Sequence, residues 1–191
     1  MAATDRFRPS VTVAAVIARG GRYLLVEEET PEGLMLNNPA GHLEQGESPI
    51  QAVVREALEE TARAFVPETF LGVYLARFVR PAQARHPQAA GTPPPPQGDR
   101  PLGSGPAETM EDVTYVRLAF SGSVGEEIAG RTLDEGIRRT LWMSEAELAA
   151  CTDRHRSPLV LQCVRDHAAG RRLPLEALYS HVSLRAPLVK G

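Results

Sequence analysis

The sequence predicts an α/β fold, in which helices pack against a β-sheet. Short runs of β-branched apolar residues have the length of strands, and a glycine pair indicates a hairpin between the first two. Capped amphipathic segments with helical spacing lie between and after these runs. At 191 residues with 42% hydrophobic content, the chain has room for one domain with a substantial core.

The first elements form a predicted hairpin. Residues 11–18 (VTVAAVIA) are apolar and rich in valine and isoleucine, which favours a buried strand. Gly20-Gly21 is a hairpin-turn signal, and residues 22–27 (RYLLVE) form the predicted returning strand. We expect residues 30–38 to form a loop that leads into the following Pro-Ala-Gly segment.

The first helix is predicted from about residue 49 to 61. Ser48 is a suitable N-cap, Pro49 suits the first helical position, and Gln51 completes a capping box. Further along the chain, strands are predicted at residues 70–80, 114–122 and 137–143. Helices are predicted at residues 144–150 and 158–169.

Residues 81–110 interrupt this pattern as a proline-rich insertion. Residues 81–106 contain eight of the sixteen prolines and four glycines, a composition that neither supplies ladder hydrogen bonds nor buries a core. Three interpretations stay open: a tolerated linker-like insertion, a lid over a substrate pocket, or a proline-rich recognition segment. We expect one domain over residues 7–180 and a C-terminal tail at 181–191.

Composition excludes several function classes. The longest apolar run, Val13 to Ala18, is too short to span a membrane, and no signal-peptide segment is apparent. A net charge of −3 gives no general attraction for a nucleic acid polymer. The spacing of Cys151 and Cys163 suits neither a disulfide framework nor a zinc site. We expect a cytoplasmic protein, monomeric or homodimeric.

Three glutamates on the first helix carry the strongest chemical signal. Glu56, Glu59 and Glu60 are three and four residues apart, which places them on one arc of the helix. Like charges at this spacing repel each other, and a bound cation removes that penalty. Carboxylate oxygens are hard ligands that suit Mg²⁺, with Mn²⁺ as a possible substitute.

The glutamates belong to a longer pattern, G-x5-E-x7-RE-x-x-EE, which runs from Gly41 through Glu47 and Arg55 to Glu60. This segment resembles the signature of the Nudix hydrolase family, with six of its seven invariant positions matched. The resemblance implies an α/β/α sandwich around a mixed sheet and metal-dependent hydrolysis of acid anhydrides. Ala62 and Arg63 depart from the signature, where the family has a helix-ending glycine and an aliphatic residue.

The expected roles follow from the motif. Glu56, Glu59 and Glu60 are assigned to the metal site, and the resemblance adds the Gly41 carbonyl as a further ligand. Glu56 is the first choice for the general base and Glu59 the second. A pairing of Arg55 with Glu47 could hold the preceding loop against the helix.

Ordered short stretches outside the motif are similar to the NudJ-type phosphatase subgroup. This similarity implies substrates such as hydroxymethylpyrimidine pyrophosphate, thiamin pyrophosphate and nucleoside di- and triphosphates, with release of phosphate. Leu36 stands where a ring-stacking tryptophan is expected. Two alternatives are a house-cleaning nucleoside triphosphate pyrophosphatase that releases pyrophosphate and a non-catalytic binding module. The stretches are RPSVTVA (8–14), NPAGHLE (38–44), YVRL (115–118), WMS (142–144), RSPLV (156–160) and PLE (174–176).

Several further residues are candidates for the site. Arg117, within a half-buried predicted strand, is either a phosphate contact or an ordinary surface position, and Arg77 carries the same hypothesis. Asn38, in one of the subgroup stretches, is a candidate for substrate binding. Asp134 and Glu135 precede the last strand and form either a distal base or outer metal ligand, or an ordinary acidic turn.

Overall fold

The computed structural model of the chain describes residues 6–81 and 110–185, and it confirms the α/β class. Its strands are β1 (Ser10–Arg19), β2 (Arg22–Thr30), β3 (Gly33–Asn37), β4 (Ala40–His42), β5 (Phe65–Pro81), β6 (Met110–Val124) and β7 (Ile137–Met143). Its α-helices are α1 (Pro49–Thr61), α2 (Glu145–Ala149) and α3 (Leu159–Ala168). Short 3₁₀ turns lie at Thr152–Arg154, Leu175–Ala177 and Val182–Arg185.

The strands form one mixed sheet with the order β3-β2-β1-β6-β5. β1 pairs in parallel with β6, and the remaining described pairings are antiparallel. The short strand β4 pairs with β1, and β7 pairs with β2. This topology puts β1 at the centre of the sheet and brings β4 directly beside it.

Helices cover both faces of the sheet, so the expected α/β/α sandwich is confirmed. Successive residues of a strand point to opposite faces. Val13 and Ala15 of β1 therefore belong to the core beneath α1, whereas Val16 belongs to the core beneath α3. Because both faces of β1 are buried, its sequence is a continuous apolar run rather than an alternating one.

The expected loop at residues 30–38 is wrong, because the chain forms a second hairpin there. β2 continues to Thr30, which pairs with Gly33 at the start of β3. The Thr30 hydroxyl donates to the Gly33 carbonyl (2.9 Å) and accepts from the Glu32 amide (3.2 Å), which stabilises the turn. The acidic end of β2 obscured the strand signal, but basic side chains bind these carboxylates: Arg139 and Arg154 bind Glu27, for example.

β5 and β6 are longer than predicted, and their last register pair joins Pro81 to Met110. Residues 82–109 of the proline-rich insertion lie outside the described residues. The three interpretations of this insertion therefore stay predictions. Of the predicted tail, residues 181–185 are described and contain one 3₁₀ turn. No helix in the described ranges combines the length and apolarity needed to cross a membrane.

Candidate active site

Helix α1 begins and ends at the residues predicted from the sequence. The Ser48 hydroxyl accepts from the Gln51 amide (3.3 Å) and the Ser48 amide donates to the Gln51 side chain (2.9 Å), so the predicted capping box is confirmed. The helix ends at Ala62, which has φ 53° and lies in the left-handed region. That conformation favours glycine, and alanine carries a cost of about 1 kcal/mol there.

One flank of α1 packs into the core and the next one presents carboxylates. Ala52, Val53 and Ala57 are fully buried against the sheet. Glu56 and Glu60 are also buried, on the side of the helix that faces β4. This is the arrangement that the helical spacing predicts, with three glutamates on neighbouring turns of one helix.

Strand β4 lies against these carboxylates. The Ala40 amide donates a hydrogen bond of 2.8 Å to Glu60 Oε2. A Cβ atom at Gly41 would lie 2.1 Å from Cδ of Glu56, so any larger residue would displace that carboxylate. The glycine of the motif therefore has a steric role: it lets the strand backbone approach the glutamate side chains.

Arg55 connects the loop before α1 to the carboxylates. Its Nη2 and Nε atoms donate to Glu47 at 2.7 and 3.1 Å, which forms the pair considered from the sequence. Nη2 also donates to the His42 carbonyl (3.1 Å). On its other side, Nη1 donates to Glu56 (2.7 Å) and Glu59 (3.1 Å). One guanidinium thus holds the loop and aligns two of the three helix carboxylates.

Burial perturbs the ionisation of these groups. It raises the pKa of Glu60 well above the ordinary value, and the charges of Glu56 and Asp134 act in the same direction. Burial also raises the pKa of Glu56, although the neighbouring Arg55 opposes the shift. In contrast, hydrogen bonds from Arg55 lower the pKa of Glu47. The flank therefore contains buried carboxylates whose ionised forms need additional positive charge.

The loop between β6 and β7 brings Asp134 to the end of α1. The Asp134 amide donates to the Glu59 carbonyl (3.0 Å), and the Ile128 amide donates to the Ala62 carbonyl (2.8 Å). Arg63, the other departure from the motif, donates to the Gly125 carbonyl (3.2 Å) and fixes the start of this loop. Asp134 and Glu135 are both exposed residues of this turn, and the charge of Asp134 acts on Glu56 and Glu60.

The residues present fit a hard divalent cation by their chemistry. Across residues 6–81 and 110–185, no set of three or more His, Cys, Asp or Glu side chains is arranged as a ready metal-ligand group. The guanidinium of Arg55 instead contacts both Glu56 and Glu59. Buried, mutually repelling carboxylates favour a divalent ion, and binding would require Glu56 and Glu59 to turn from the guanidinium.

A cavity of about 430 Å³ adjoins β4 on the α3 side of the sheet. Arg117 lies within it and is only 7% exposed, which rules out the ordinary surface position. Its Nη2 atom donates to the Asn37 side chain (3.3 Å), and its Nε and Nη1 atoms have no hydrogen-bond partner among the described residues. The pocket is lined by Thr12, Glu28, Glu32, Met35, Asn37, Ala40, Gly41, His42, Phe78, Val79, Tyr115, Arg117, Arg156, Ser157 and Leu159.

Two other predicted substrate contacts are not brought into this pocket. Arg77 is exposed on β5, and its guanidinium binds Asp112 at 2.8 and 2.6 Å. Asn38 is buried, yet it is not among the lining residues. Leu36 is buried in the core, where it could not stack on a ligand, and the adjacent Met35 faces the pocket instead.

Sequence reasoning missed the remaining polar residues of the pocket. Glu28 and Arg156 come from distant segments, and no sequence signal connects them. Ser157 precedes α3, whose N-cap is Pro158 without a side-chain cap bond. The buried Ser157 hydroxyl has no hydrogen-bond partner among the described residues and lines the pocket.

Comparisons with known proteins agree with the fold and the motif. A model of the NUDIX domain matches residues 6–162. Phosphatase NudJ from Escherichia coli strain K12 is 28% identical over 172 residues, which cover 90% of this chain and 92% of that protein. A NUDIX hydrolase structure from Nitrosomonas europaea is 41% identical with a TM-score of 0.69, over 91% of this chain and 98% of that one. A MutT NUDIX hydrolase from Burkholderia pseudomallei, 19% identical with a TM-score of 0.55 over 84% and 98% of the two chains, shares the fold. The chain belongs to the Nudix hydrolase family and is an enzyme that hydrolyses pyrophosphate bonds.

Proposed function

We propose that this enzyme hydrolyses a phosphoanhydride bond of small diphosphate compounds and releases phosphate in a Mg²⁺-dependent reaction, with Mn²⁺ as a substitute. The observation that carries the proposal is the flank of α1, where Glu56, Glu59 and Glu60 lie on neighbouring turns and Glu56 and Glu60 face β4. The proposal includes one catalytic domain over residues 7–180, monomeric or homodimeric and cytoplasmic.

Glu56, Glu59 and Glu60, with the Gly41 carbonyl, would hold the metal. A divalent ion there supplies positive charge to the phosphate oxygens and lowers the pKa of a bound water. Arg55 and Glu47 hold the loop against the helix, so that the carboxylates lie close together before the metal binds. Glu56 is the preferred proton acceptor, because burial raises its pKa, and Glu59 is the second choice. Asp134 is a candidate for the outer acid.

The relatives favour phosphate release. Proteins of 28% identity along 90% of this chain are called Phosphatase NudJ, and that name describes loss of orthophosphate. We therefore propose the substrates expected from the sequence: hydroxymethylpyrimidine pyrophosphate, thiamin pyrophosphate and nucleoside di- and triphosphates. A house-cleaning pyrophosphatase would instead release pyrophosphate from a nucleoside triphosphate.

The test is a screen of these compounds with Mg²⁺, with orthophosphate and pyrophosphate measured separately. We expect orthophosphate to be released from diphosphates, and we expect a chelator to abolish turnover and added Mg²⁺ or Mn²⁺ to restore it. Pyrophosphate release from triphosphates alone would favour the house-cleaning activity. Turnover that persists in excess chelator, or no turnover of any compound, would contradict the proposal.

A further inference from the structure

A second cavity lies on the side of α1 that is turned away from β4. Its volume of about 360 Å³ is within the range of small-molecule sites. Leu58 lines this cavity and is two residues from Glu56, so helical spacing puts the two side chains on nearly opposite sides of α1. We call this cavity the α1 groove, and its lining includes Ile50, Val54, Arg55, Leu58, Glu59 and Arg131.

Three apolar residues form the floor of the α1 groove. Ile50, Val54 and Leu58 are four residues apart, so they form one row about 12 Å long on the helix surface. Ile50 and Val54 also pack against the core beneath α1, whereas Leu58 belongs to neither described core cluster. All three side chains are only partly buried. Their remaining apolar surface is open to a ligand, and an apolar ligand would remove that surface from water.

Arg131 supplies a positive charge at the edge of the groove. It belongs to the loop between β6 and β7, and it also lines an adjoining polar cavity of about 400 Å³ together with Thr132 and Asp134. The Arg131 amide donates to the Ile128 carbonyl (3.2 Å), whereas its guanidinium makes no hydrogen bond or ion pair to any described residue. Because guanidinium donors suit phosphate oxygens, this side chain is available to an anionic ligand group.

Glu59 connects the α1 groove to the carboxylate site. Its side chain is 36% exposed, compared with 10% for Glu56, and it lines both the groove and the adjoining polar cavity. Arg131 lines the same two cavities but forms no ion pair with Glu59, so space remains between the two side chains. If the proposed function holds, a phosphate that reaches the metal ligands from this side lies next to Arg131.

The lining of the groove favours an apolar chain over a polar ring. Among the described residues, no aromatic side chain lines the groove, and Gln51 is its one uncharged polar side chain. A nucleobase or a sugar would therefore lack stacking partners and find few hydrogen-bond partners there. A hydrocarbon chain needs only apolar contacts, which the row from Ile50 to Leu58 provides.

We propose that the α1 groove binds the hydrocarbon chain of an amphiphilic diphosphate, such as a prenyl diphosphate, and that Arg131 contacts the phosphate attached to this chain. The oxygen of water forms a bond to one phosphorus, the bridging P–O bond breaks, and the released oxygen takes up the proton. The products are the chain monophosphate and orthophosphate. This inference rests on the proposed function for its reaction and adds a substrate class to it, but binding of the chain can be measured without turnover.

The kinetic test compares geranyl diphosphate with isopentenyl diphosphate in the wild-type enzyme with Mg²⁺. The two compounds carry the same diphosphate and differ in chain length, so we expect kcat/KM to be about 10- to 100-fold higher for geranyl diphosphate. Leu58→Gln should lower this ratio about tenfold, mainly through KM, because it puts a polar amide in the floor of the groove. Leu75→Gln, on an exposed leucine of β5, is the matched control and should leave the ratio unchanged.

Arg131→Gln tests the contact with the phosphate. Loss of charged hydrogen bonds should raise the KM for both diphosphates about tenfold, while kcat changes less than about threefold. Arg165→Gln, on an exposed arginine bound to Glu145, is the control and should leave both constants unchanged. An unchanged KM in Arg131→Gln would overturn the assignment of this residue.

A binding test separates the inference from the proposed function. Ligand-observed NMR should show geranyl phosphate, the expected product, bound to the wild-type protein and bound more weakly to Leu58→Gln and Arg131→Gln. Hydrolysis of both diphosphates at equal kcat/KM would overturn the inference and leave the proposed function standing. If no diphosphate is hydrolysed, the proposed function fails, and the binding of geranyl phosphate still decides the inference.

The control variants also protect the binding test. Absence of geranyl phosphate binding to the wild-type protein would overturn the inference. If Leu75→Gln weakens binding as much as Leu58→Gln does, the chain binds the exposed face of β5 and the inference is overturned. If Leu58→Gln does not fold, Val54→Thr takes its place, because it keeps the side-chain shape and adds only a hydroxyl to the floor of the groove.

Discussion

The charged side chains on the two sides of β4 differ in how fully they are paired. On the α1 side, a single guanidinium binds Glu47, Glu56 and Glu59, and Glu60 accepts from the Ala40 amide. On the α3 side, Nε and Nη1 of Arg117 are buried without a hydrogen-bond partner among the described residues. The protein itself therefore supplies partners to the charged groups on the α1 side, whereas on the α3 side it leaves donors of Arg117 unpaired among the described residues.

The largest effect is expected when one carboxylate is removed from the α1 side. Glu59→Gln keeps the side-chain shape but removes the negative charge needed for a metal ion. We expect kcat to fall at least about 10²-fold with Mg²⁺, the lower range for loss of a key catalytic group. Steady-state kinetics on the best diphosphate measure this, and Glu68→Gln, on an exposed glutamate, is the control. Activity retained by Glu59→Gln would remove the central assignment.

A second test concerns the connection through Arg55. Lysine at this position keeps the charge but cannot bind Glu47 through two atoms or reach Glu56 and Glu59 at the same time. We expect Arg55→Lys to lower the free energy of unfolding by about 2 kcal/mol and activity about tenfold. Urea unfolding and kinetics measure the two effects. An unchanged stability would show that the loop does not depend on this pair.

A third test uses pH to probe the α3 side. Burial lowers the pKa of His155 below 6.5, against weaker opposing effects of the Leu148 backbone and the Asp153 charge. The unfolded chain then binds the proton more readily, so stability is complete above pH 6.5 and falls as the pH drops towards the folded-state pKa. The slope is at most about 1.4 kcal/mol per pH unit for one proton.

His155→Gln should flatten this part of the stability profile, measured by urea unfolding between pH 7 and 5. Burial also lowers the pKa of His167, so a residual slope is expected in the variant. His181→Gln, on an exposed histidine, should follow the wild-type profile. A wild-type slope that is unchanged in His155→Gln would contradict the prediction.

The smallest expected effect concerns the end of α1. Ala62→Gly relieves a left-handed alanine and should raise the free energy of unfolding by up to about 1 kcal/mol. Ala168→Gly, at the exposed end of α3, should lower it by up to a similar amount, because glycine disfavours helix there. If both substitutions change the free energy of unfolding in the same direction, backbone conformation does not determine their effects.

The α1 side could be predicted from sequence because its signals are local. Helical spacing aligned the glutamates, the capping box marked the start at Ser48, and the motif joined both to Gly41. The hairpin that contains β3 was missed, because consecutive acidic residues at the end of β2 read as a loop. Their charge is neutralised by arginines from β7 and from the segment before α3, which no local pattern reveals.

Of the residues that line the pocket, only Arg117 was predicted as a substrate contact. Alternation along a strand puts Tyr115, Arg117 and Ala119 on one face of β6, and that face lies on the α3 side. Other polar residues of the pocket come from β2, β3 and the segment before α3, and their proximity depends on the pairing of strands far apart in sequence. For the same reason, the exposed Arg77 could not be separated from Arg117 by pattern alone.

The register of the β5–β6 pair has a consequence for how this chain tolerates change in length. Pro81 and Met110 are cross-strand partners, so the backbone leaves and re-enters the hairpin at two points about 5 Å apart. Segments of very different size can close such a gap, since closure entropy grows only with the logarithm of the number of residues. Natural additions and deletions can therefore accumulate between these two residues while the catalytic helix keeps its place.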